Sequence, residues 1–190
     1  VCSTVIKKST DLAKFLDEIN YYLLLPDQLK IFFPRVVTAS TETIEPYLQL
    51  EFYGYTTLAE LLLFETLDSR IWQQVFVHLS EIANRFQQFR APYRTEPFES
   101  MYVKRVEERL EKLAGMSSTL GQLVNAQTIT LNGKTLRGFS EVWRELQPAV
   151  RRLARPEDFA VIHGDMCFSN ILYDLGGRVC KFIDPRGSFG

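Results

Sequence analysis

The sequence predicts an α+β protein in two lobes: a small β-rich N-terminal lobe with one helix, and a larger, mostly helical C-terminal lobe carrying a small sheet. Three features predict it. Short β-branched runs crowd into the first part of the chain, up to Phe52, around a single amphipathic stretch. Gly54 then marks a change of pattern. From there to about residue 155 apolar residues recur at helical steps, and after Pro156 strand-like runs return.

Taken in order, Val1 to Lys8 reads as a strand. Ser9 or Thr10 is placed to cap a helix whose apolar face is Leu12, Phe15, Leu16, Ile19, Tyr22 and Leu23. Pro26 ends it. Val36–Ala39 and Tyr47–Phe52 read as two further strands. Gly54 allows a sharp turn, and Thr57 with Glu60 matches a capping box opening the helical part. Three apolar stripes follow: Trp72, Val75, Phe76, Leu79, Ile82, Ala83 and Phe86; then Tyr102, Val106, Leu110 and Leu113; then Val142, Leu146, Val150 and Leu153. Thr128 to Leu136 alternates about Asn132-Gly133, a two-residue hairpin signal. Phe159–Ile162 reads as a strand, and Ile171–Leu175 with Val179–Ile183 as a hairpin across Gly176-Gly177.

The chain has 190 residues, 46% of them hydrophobic, enough for one core or two small lobes sharing a cleft. Net charge is −1, and no basic stripe points to nucleic acid. No apolar run reaches the roughly 20 residues that span a bilayer. Three cysteines without metal-ligand spacing suit a reduced, cytoplasmic protein, with Cys167 and Cys180 as packing residues.

The densest chemical signal is His163-Gly164-Asp165-Met166-Cys167-Phe168-Ser169-Asn170, followed by Asp184-Pro185-Arg186-Gly187. An acid, then a carboxamide, then a second acid, each beside short apolar runs, suits phosphoryl transfer. One carboxylate, Asp165, orients a hydroxyl nucleophile. Asn170 and Asp184 offer the hard oxygens that Mg²⁺ prefers. The bland readings are a turn-forming Asp165, an Asn170 bonded to its own loop, and a capping Asp184. Arg186 stands open between a phosphate or acidic substrate and a nearby carboxylate. His78 receives no role.

This order and spelling resemble the protein-kinase-like fold, in its aminoglycoside phosphotransferase and choline kinase branch. His163-Gly164-Asp165 with Asn170, and Ile183-Asp184, carry the resemblance. The wider spelling, through Asp184-Pro185-Arg186-Gly187, resembles phosphotransferase-like proteins found with bacterial capsule and surface-polysaccharide genes. The resemblance implies ATP and Mg²⁺ as cofactors and a small hydroxylated molecule as acceptor, a sugar or polysaccharide precursor among the candidates. It implies that Lys7 contacts the α- and β-phosphates, with Lys8 as the competing choice, and that Glu18 pairs with that lysine. It places the inter-lobe hinge at Glu51, Phe52 and Tyr53, where backbone rather than side chain holds adenine. It makes His163 a brace of the catalytic loop. The lobes would then be residues 1–52 and 56–190, joined by 53–55. Measured against that family, a phosphate-covering loop before Lys7 and acceptor-holding helices after Asp184 are expected outside this sequence. Within it, Met116 to Leu136 is the candidate acceptor contact. The competing expectations are a nucleotide-binding scaffold without turnover, and an interaction domain in which the motifs are coincidence.

Overall fold

The computed structural model describes residues 3–187 apart from Thr43, Ala91 and Tyr93. Val1 and Cys2, the start of the expected first strand, lie outside the described residues. The architecture is mixed α+β with small antiparallel sheets. Two compact units account for it: residues 1–91 with 160–190, and residues 92–159.

The first unit begins with β1 (Thr4–Lys7) and α1 (Leu12–Leu24). The cap of α1 is Asp11, whose carboxylate accepts from Lys14 N, and not Ser9 or Thr10. Ser9 acts one step earlier, its hydroxyl accepting from Asp11 N. Of the expected stripe, Phe15, Ile19 and Tyr22 are buried on α1's inner face, whereas Leu12 and Leu23 at its two ends are exposed. Pro26 lets a short second helix start, α2 (Asp27–Lys30). β2 (Val36–Ser40) and β3 (Tyr47–Glu51) complete a sheet of order β1-β3-β2. Val37 is the extra residue of a bulge, since Val36 faces Leu50 and Thr38 faces Gln49.

Gly54 follows, without using the left-handed region. The capping box at Thr57 is complete: its hydroxyl accepts from Glu60 N and the Glu60 carboxylate accepts from Thr57 N. It starts α3 (Leu58–Phe64), just after β4 (Thr56–Thr57). Asp68 caps α4 (Ser69–Gln87), which buries Val75, Ile82 and Phe86. Phe159–Ile162 is not a strand. Ala160 forms a single bridge with Arg90, and Val161 N donates to Phe89 O. Its partner is the chain just past α4, where no strand stands among the described residues.

β7 (Ile171–Asp174) and β8 (Val179–Phe182) form the expected hairpin, with β4 beside β7. The turn between them is closed by Asp174, whose carboxylate accepts from Gly176 N and Gly177 N. The positive φ falls on Arg178, at 50°, and on neither glycine. Around β8 an aromatic core assembles. Phe33 lies 6.0 Å from Phe86 and 5.9 Å from Phe182 between ring centroids. Such buried rings supply about 1.5–3 kcal/mol each, and here they also form the wall that carries the site.

The second unit contains α5 (Thr95–Glu99), a π-helical turn over Ser100–Lys104, α6 (Arg105–Met116), α7 (Ser118–Asn125), the hairpin β5 (Thr128–Leu131) and β6 (Lys134–Arg137), and α8 (Phe139–Leu153). Asn132 (φ 51°) and Gly133 (φ 76°) form the hairpin turn as their order demands. The second expected stripe is shifted. The π turn inserts extra backbone, so Val103 is buried while Tyr102 is exposed. The third stripe is not a buried face: Leu146 and Leu153 are exposed on α8. Arg151 holds Glu99 through bonds of 2.7 and 3.0 Å, tying α8 to α5. Among the described residues no helix is long and apolar enough to cross a membrane.

Candidate active site

β8 runs through the core of the first unit and delivers Ile183 and Asp184 at its end. Asp184 leaves the strand with φ at 56°, a conformation that costs a non-glycine residue about 1–3 kcal/mol. Aspartate tolerates it better than most. The chain then returns beside the His163–Asn170 loop. Arg186 N donates to His163 O at 2.9 Å, and Ile183 N donates to Asn170 O at 3.0 Å. The two motifs are therefore stitched together through their backbones.

His163 is 1% exposed and stacks on Phe33 with ring planes 15° apart. Its Nδ1 accepts from Asp165 N at 3.3 Å, which leaves Nε2 to donate to Ile183 O at 3.0 Å. That pair of bonds selects the neutral ring protonated at Nε2. Burial, opposed by the Ile183 carbonyl, lowers the pKa of His163. The folded protein therefore resists a proton that the unfolded chain accepts near pH 6.5. Stability is full above that value and falls as pH drops below it, by about 1.4 kcal/mol per pH unit for one proton. Burial also lowers His78, whose Nδ1 lies 2.9 Å from Tyr173 Oη, so both histidines of the chain act with the same sign. Urea midpoints between pH 7.5 and 5.5 should show a shallower acid slope in His163→Gln than in the unsubstituted protein. An unchanged slope would remove His163 as a source.

Asn170 N caps the loop by donating to Cys167 O, and its side chain Nδ2 donates to Asp165 O at 3.0 Å. The amide is thereby oriented so that Oδ1 is the atom left for a further partner. Asp165 itself presents Oδ2 to Arg186 Nε at 3.2 Å, the carboxylate pairing that Arg186 had as one of its readings. Cys167 is exposed, 3.1 Å from Ser169 Oγ, and is not a packing residue. Cys180 is buried, and burial pushes its thiol up to about 12.

The residues expected at the N-terminal end come to the same place. Lys7 Nζ donates to Glu18 Oε1 and Oε2 at 2.7 and 2.9 Å, and to Asp184 Oδ1 at 2.6 Å. Glu18 is 8% exposed. Lys8 points elsewhere, 3.9 Å from Glu45 on the surface. Burial works against the charge of Lys7, but hydrogen bonds to Asp184 and Glu18 outweigh it and raise its pKa. For Glu18, which is more enclosed, burial outweighs the attraction of Lys7 and its pKa also rises.

Of the expected hinge residues, Glu51 N donates to Arg35 O and Phe52 N donates to Ser3 O, so both N–H groups belong to the sheet edge. Among the described residues the Tyr53 N–H makes no hydrogen bond. The Glu51 carboxylate faces Arg35 Nε at 3.2 Å and Tyr53 Oη at 3.1 Å. Lys181, which no sequence pattern marks, is 9% exposed and donates to Ile31 O and Phe33 O.

Gly187 closes the second motif against α1. A Cβ built there would lie 1.8 Å from Asp17 O and 2.3 Å from Asp17 C. Backbone atoms of a helix cannot swing aside, so Gly187→Ala should destabilise by about 1–3 kcal/mol. Thermal melts of the two proteins would test this, and equal melting temperatures would show that the approach is looser.

Three carboxylates (Glu18, Asp165 and Asp184), a carboxamide and a lysine are thus linked from segments far apart in sequence. The atoms of Asp184 and Asn170 able to ligate a metal are hard oxygens, which suits a small divalent cation such as Mg²⁺ better than a thiophilic metal. Among the described residues no group of three or more His, Cys, Asp or Glu stands together as a metal cage. Comparison with protein-family models, with curated proteins and with solved structures finds no match to this chain.

Proposed function

We propose that the chain is part of a cytoplasmic, ATP- and Mg²⁺-dependent small-molecule kinase of bilobal, protein-kinase-like fold. It would transfer the γ-phosphoryl group to a hydroxyl, with a sugar or surface-polysaccharide precursor as the acceptor class. The observation that carries this reading is Lys7 Nζ bridging Glu18 and Asp184, residues 11 and 177 positions away. A lysine held by a buried glutamate beside an exposed aspartate is built to meet phosphate on one side and a metal on the other.

In this reading Asp165 accepts or orients the proton of the attacking hydroxyl. Arg186 fixes one of its oxygens and leaves the other for the substrate. Asn170 Oδ1 and Asp184 would hold the Mg²⁺, which when bound neutralises developing charge on the phosphates. The Tyr53 N–H is the hinge group free to meet an adenine. His163 holds the Asp165 backbone and has no proton-transfer role. The strained φ of Asp184 fits a residue held in place for function.

A second reading, a nucleotide-binding scaffold without turnover, draws on one feature: both acids are already engaged by cations, Asp184 by Lys7 and Asp165 by Arg186. Calorimetric titration of ATP, with and without Mg²⁺, into the full-length protein and its Asp184→Ala variant tests the nucleotide site. Mg-dependent binding that falls about tenfold or more in the variant is expected for a lost metal ligand. Binding that is absent, or indifferent to metal in both proteins, would overturn the proposal. Binding without turnover on any alcohol would favour the scaffold.

A further inference from the structure

A cavity of about 430 Å³ opens on the first unit, away from the Lys7 cluster. None of Lys7, Glu18, Asp165, Asn170 or Asp184 lines it. Its size falls within the roughly 300–1,000 Å³ of small-molecule sites. The apolar wall includes Tyr22, Leu25, Phe33 and Val36. Three cations, Lys30, Arg35 and Lys181, meet one carboxylate, Glu51. That carboxylate is already held by Arg35 and Tyr53. Lys30 has Asp27 on the surface, at 2.7 Å.

Lys181 is the unusual member. Its ammonium is held by two neutral carbonyls, Ile31 O at 2.7 Å and Phe33 O at 3.2 Å, and lies 4.8 Å from the centre of the Tyr53 ring. Among the described residues no carboxylate stands within ion-pair distance of it. The charge of Glu51 acts on it only from beyond that distance, and a buried cation so weakly countered is costly. Burial accordingly lowers the pKa of Lys181, and an anion arriving there would hold it charged.

We infer that this cavity is a second small-molecule site that takes a small aromatic carboxylate, its acid group toward Lys181 and Arg35 and its ring beside Tyr53 and Val36. The cations select the acid, and the half-buried Tyr53 ring and Val36 offer its body an apolar surface. The inference does not rest on the proposed kinase chemistry, although the cavity shares the side chains of Glu51 and Tyr53 with the expected hinge. Its position nevertheless bears on that chemistry: Lys181 lies on β8 three residues before Asp184, and Tyr22 lies one turn of α1 beyond Glu18.

Phenylacetate and its neutral isostere phenylacetamide serve as probes, titrated calorimetrically into the full chain. Saturable binding of phenylacetate is expected, weakened about tenfold or more in the amide because a charge-assisted contact is lost. Lys181→Met should remove binding, but it also cuts two bonds to the Ile31–Phe33 segment. Ile31→Trp is therefore the companion variant. Ile31 is 57% exposed at the rim, so the larger ring blocks the mouth without entering the core. Ile31→Trp should keep its circular dichroism and lose phenylacetate, while Lys7→Met should still bind it. Equal affinity for acid and amide, undiminished binding in Ile31→Trp, or no heat up to about 10 mM phenylacetate would overturn the proposal.

Discussion

Asp165→Ala is expected to lower turnover by about 10²–10⁴-fold, the range for loss of a positioned general base, and to leave Mg·ATP affinity within about twofold, since no contact to nucleotide is assigned to it. The separation of the two effects follows from how the loop is held. The Asp165 backbone is fixed by its N–H on His163 Nδ1 and by its carbonyl on Asn170 Nδ2. Neither bond uses the carboxylate. Alanine therefore deletes the base and keeps the loop, with the oxygen of Asn170 still oriented. The one side-chain partner lost is Arg186, whose guanidinium is 28% exposed and can turn to solvent. Single-turnover phosphoryl transfer to a panel of sugars and amino alcohols, measured beside ATP titrations, reads both quantities. Unimpaired turnover in the variant would show that another group takes the proton. Loss of ATP affinity in step with turnover would show that Asp165 serves the nucleotide, or the loop itself, instead.

How much of this arrangement could be read from the sequence depends on the range of the forces involved. Local devices were plain. The capping box at Thr57 and Glu60, the Asn132-Gly133 turn and the β7–β8 hairpin are each specified within a few residues by backbone conformation and hydrogen bonding. Where two local solutions compete, the pattern misleads. Ser9 and Thr10 precede Asp11, and the longer-reaching carboxylate takes the cap. A glycine pair suggested the turn after β7, yet the Asp174 side chain closes it and Arg178 absorbs the positive φ. The π turn at Ser100–Lys104 has no periodic signature, so Val103 and not Tyr102 is the buried residue there, while Val106, Leu110 and Leu113 stay half-buried. Phe159–Ile162 has strand composition but no strand to pair with, a fact that only tertiary placement decides. In the candidate site the motif spacing brought out Asp165, Asn170 and Asp184. Of the two lysines the resemblance favoured Lys7, and the structure puts Lys7 in the cluster. Arg186 on Asp165, and Lys181 under the Ile31–Phe33 segment, depend on contacts between distant stretches, for which one sequence holds no pattern.

Lys7→Met should destabilise the protein most at high pH and progressively less as the pH falls. The lysine joins a buried carboxylate to an exposed one: the side chain of Glu18 is 10% exposed and that of Asp184 is 55% exposed. Removing the cation barely troubles Asp184, which water can solvate. It strands Glu18. Breaking a fully buried pair costs about 3–5 kcal/mol; with the Lys7 side chain 33% exposed, screening reduces this to about 1–3 kcal/mol. The pH dependence follows from what remains. Burial already raises the pKa of Glu18, and the Lys7 hydrogen bond and charge are the main influences lowering it. Without them the folded-state pKa climbs further above the unfolded value. A carboxyl with a raised folded pKa stabilises while protonated and loses that stabilisation as pH rises through the folded pKa. The deficit of Lys7→Met should therefore be small near pH 5 and grow toward pH 8. Over that window Lys7 itself stays protonated in the unsubstituted protein, because its own pKa is raised from an already high value. Glu18→Gln separates charge from shape. An amide in place of the carboxylate leaves nothing to strand, so Lys7→Met/Glu18→Gln should be more stable than Lys7→Met alone at pH 8, and its deficit should be flat with pH. Urea unfolding of the four proteins at pH 5, 6.5 and 8 forms the double-mutant cycle. A deficit in Lys7→Met that ignores pH, or that Glu18→Gln fails to relieve, would mean that the lysine contributes through packing of its stem rather than through its charge on Glu18.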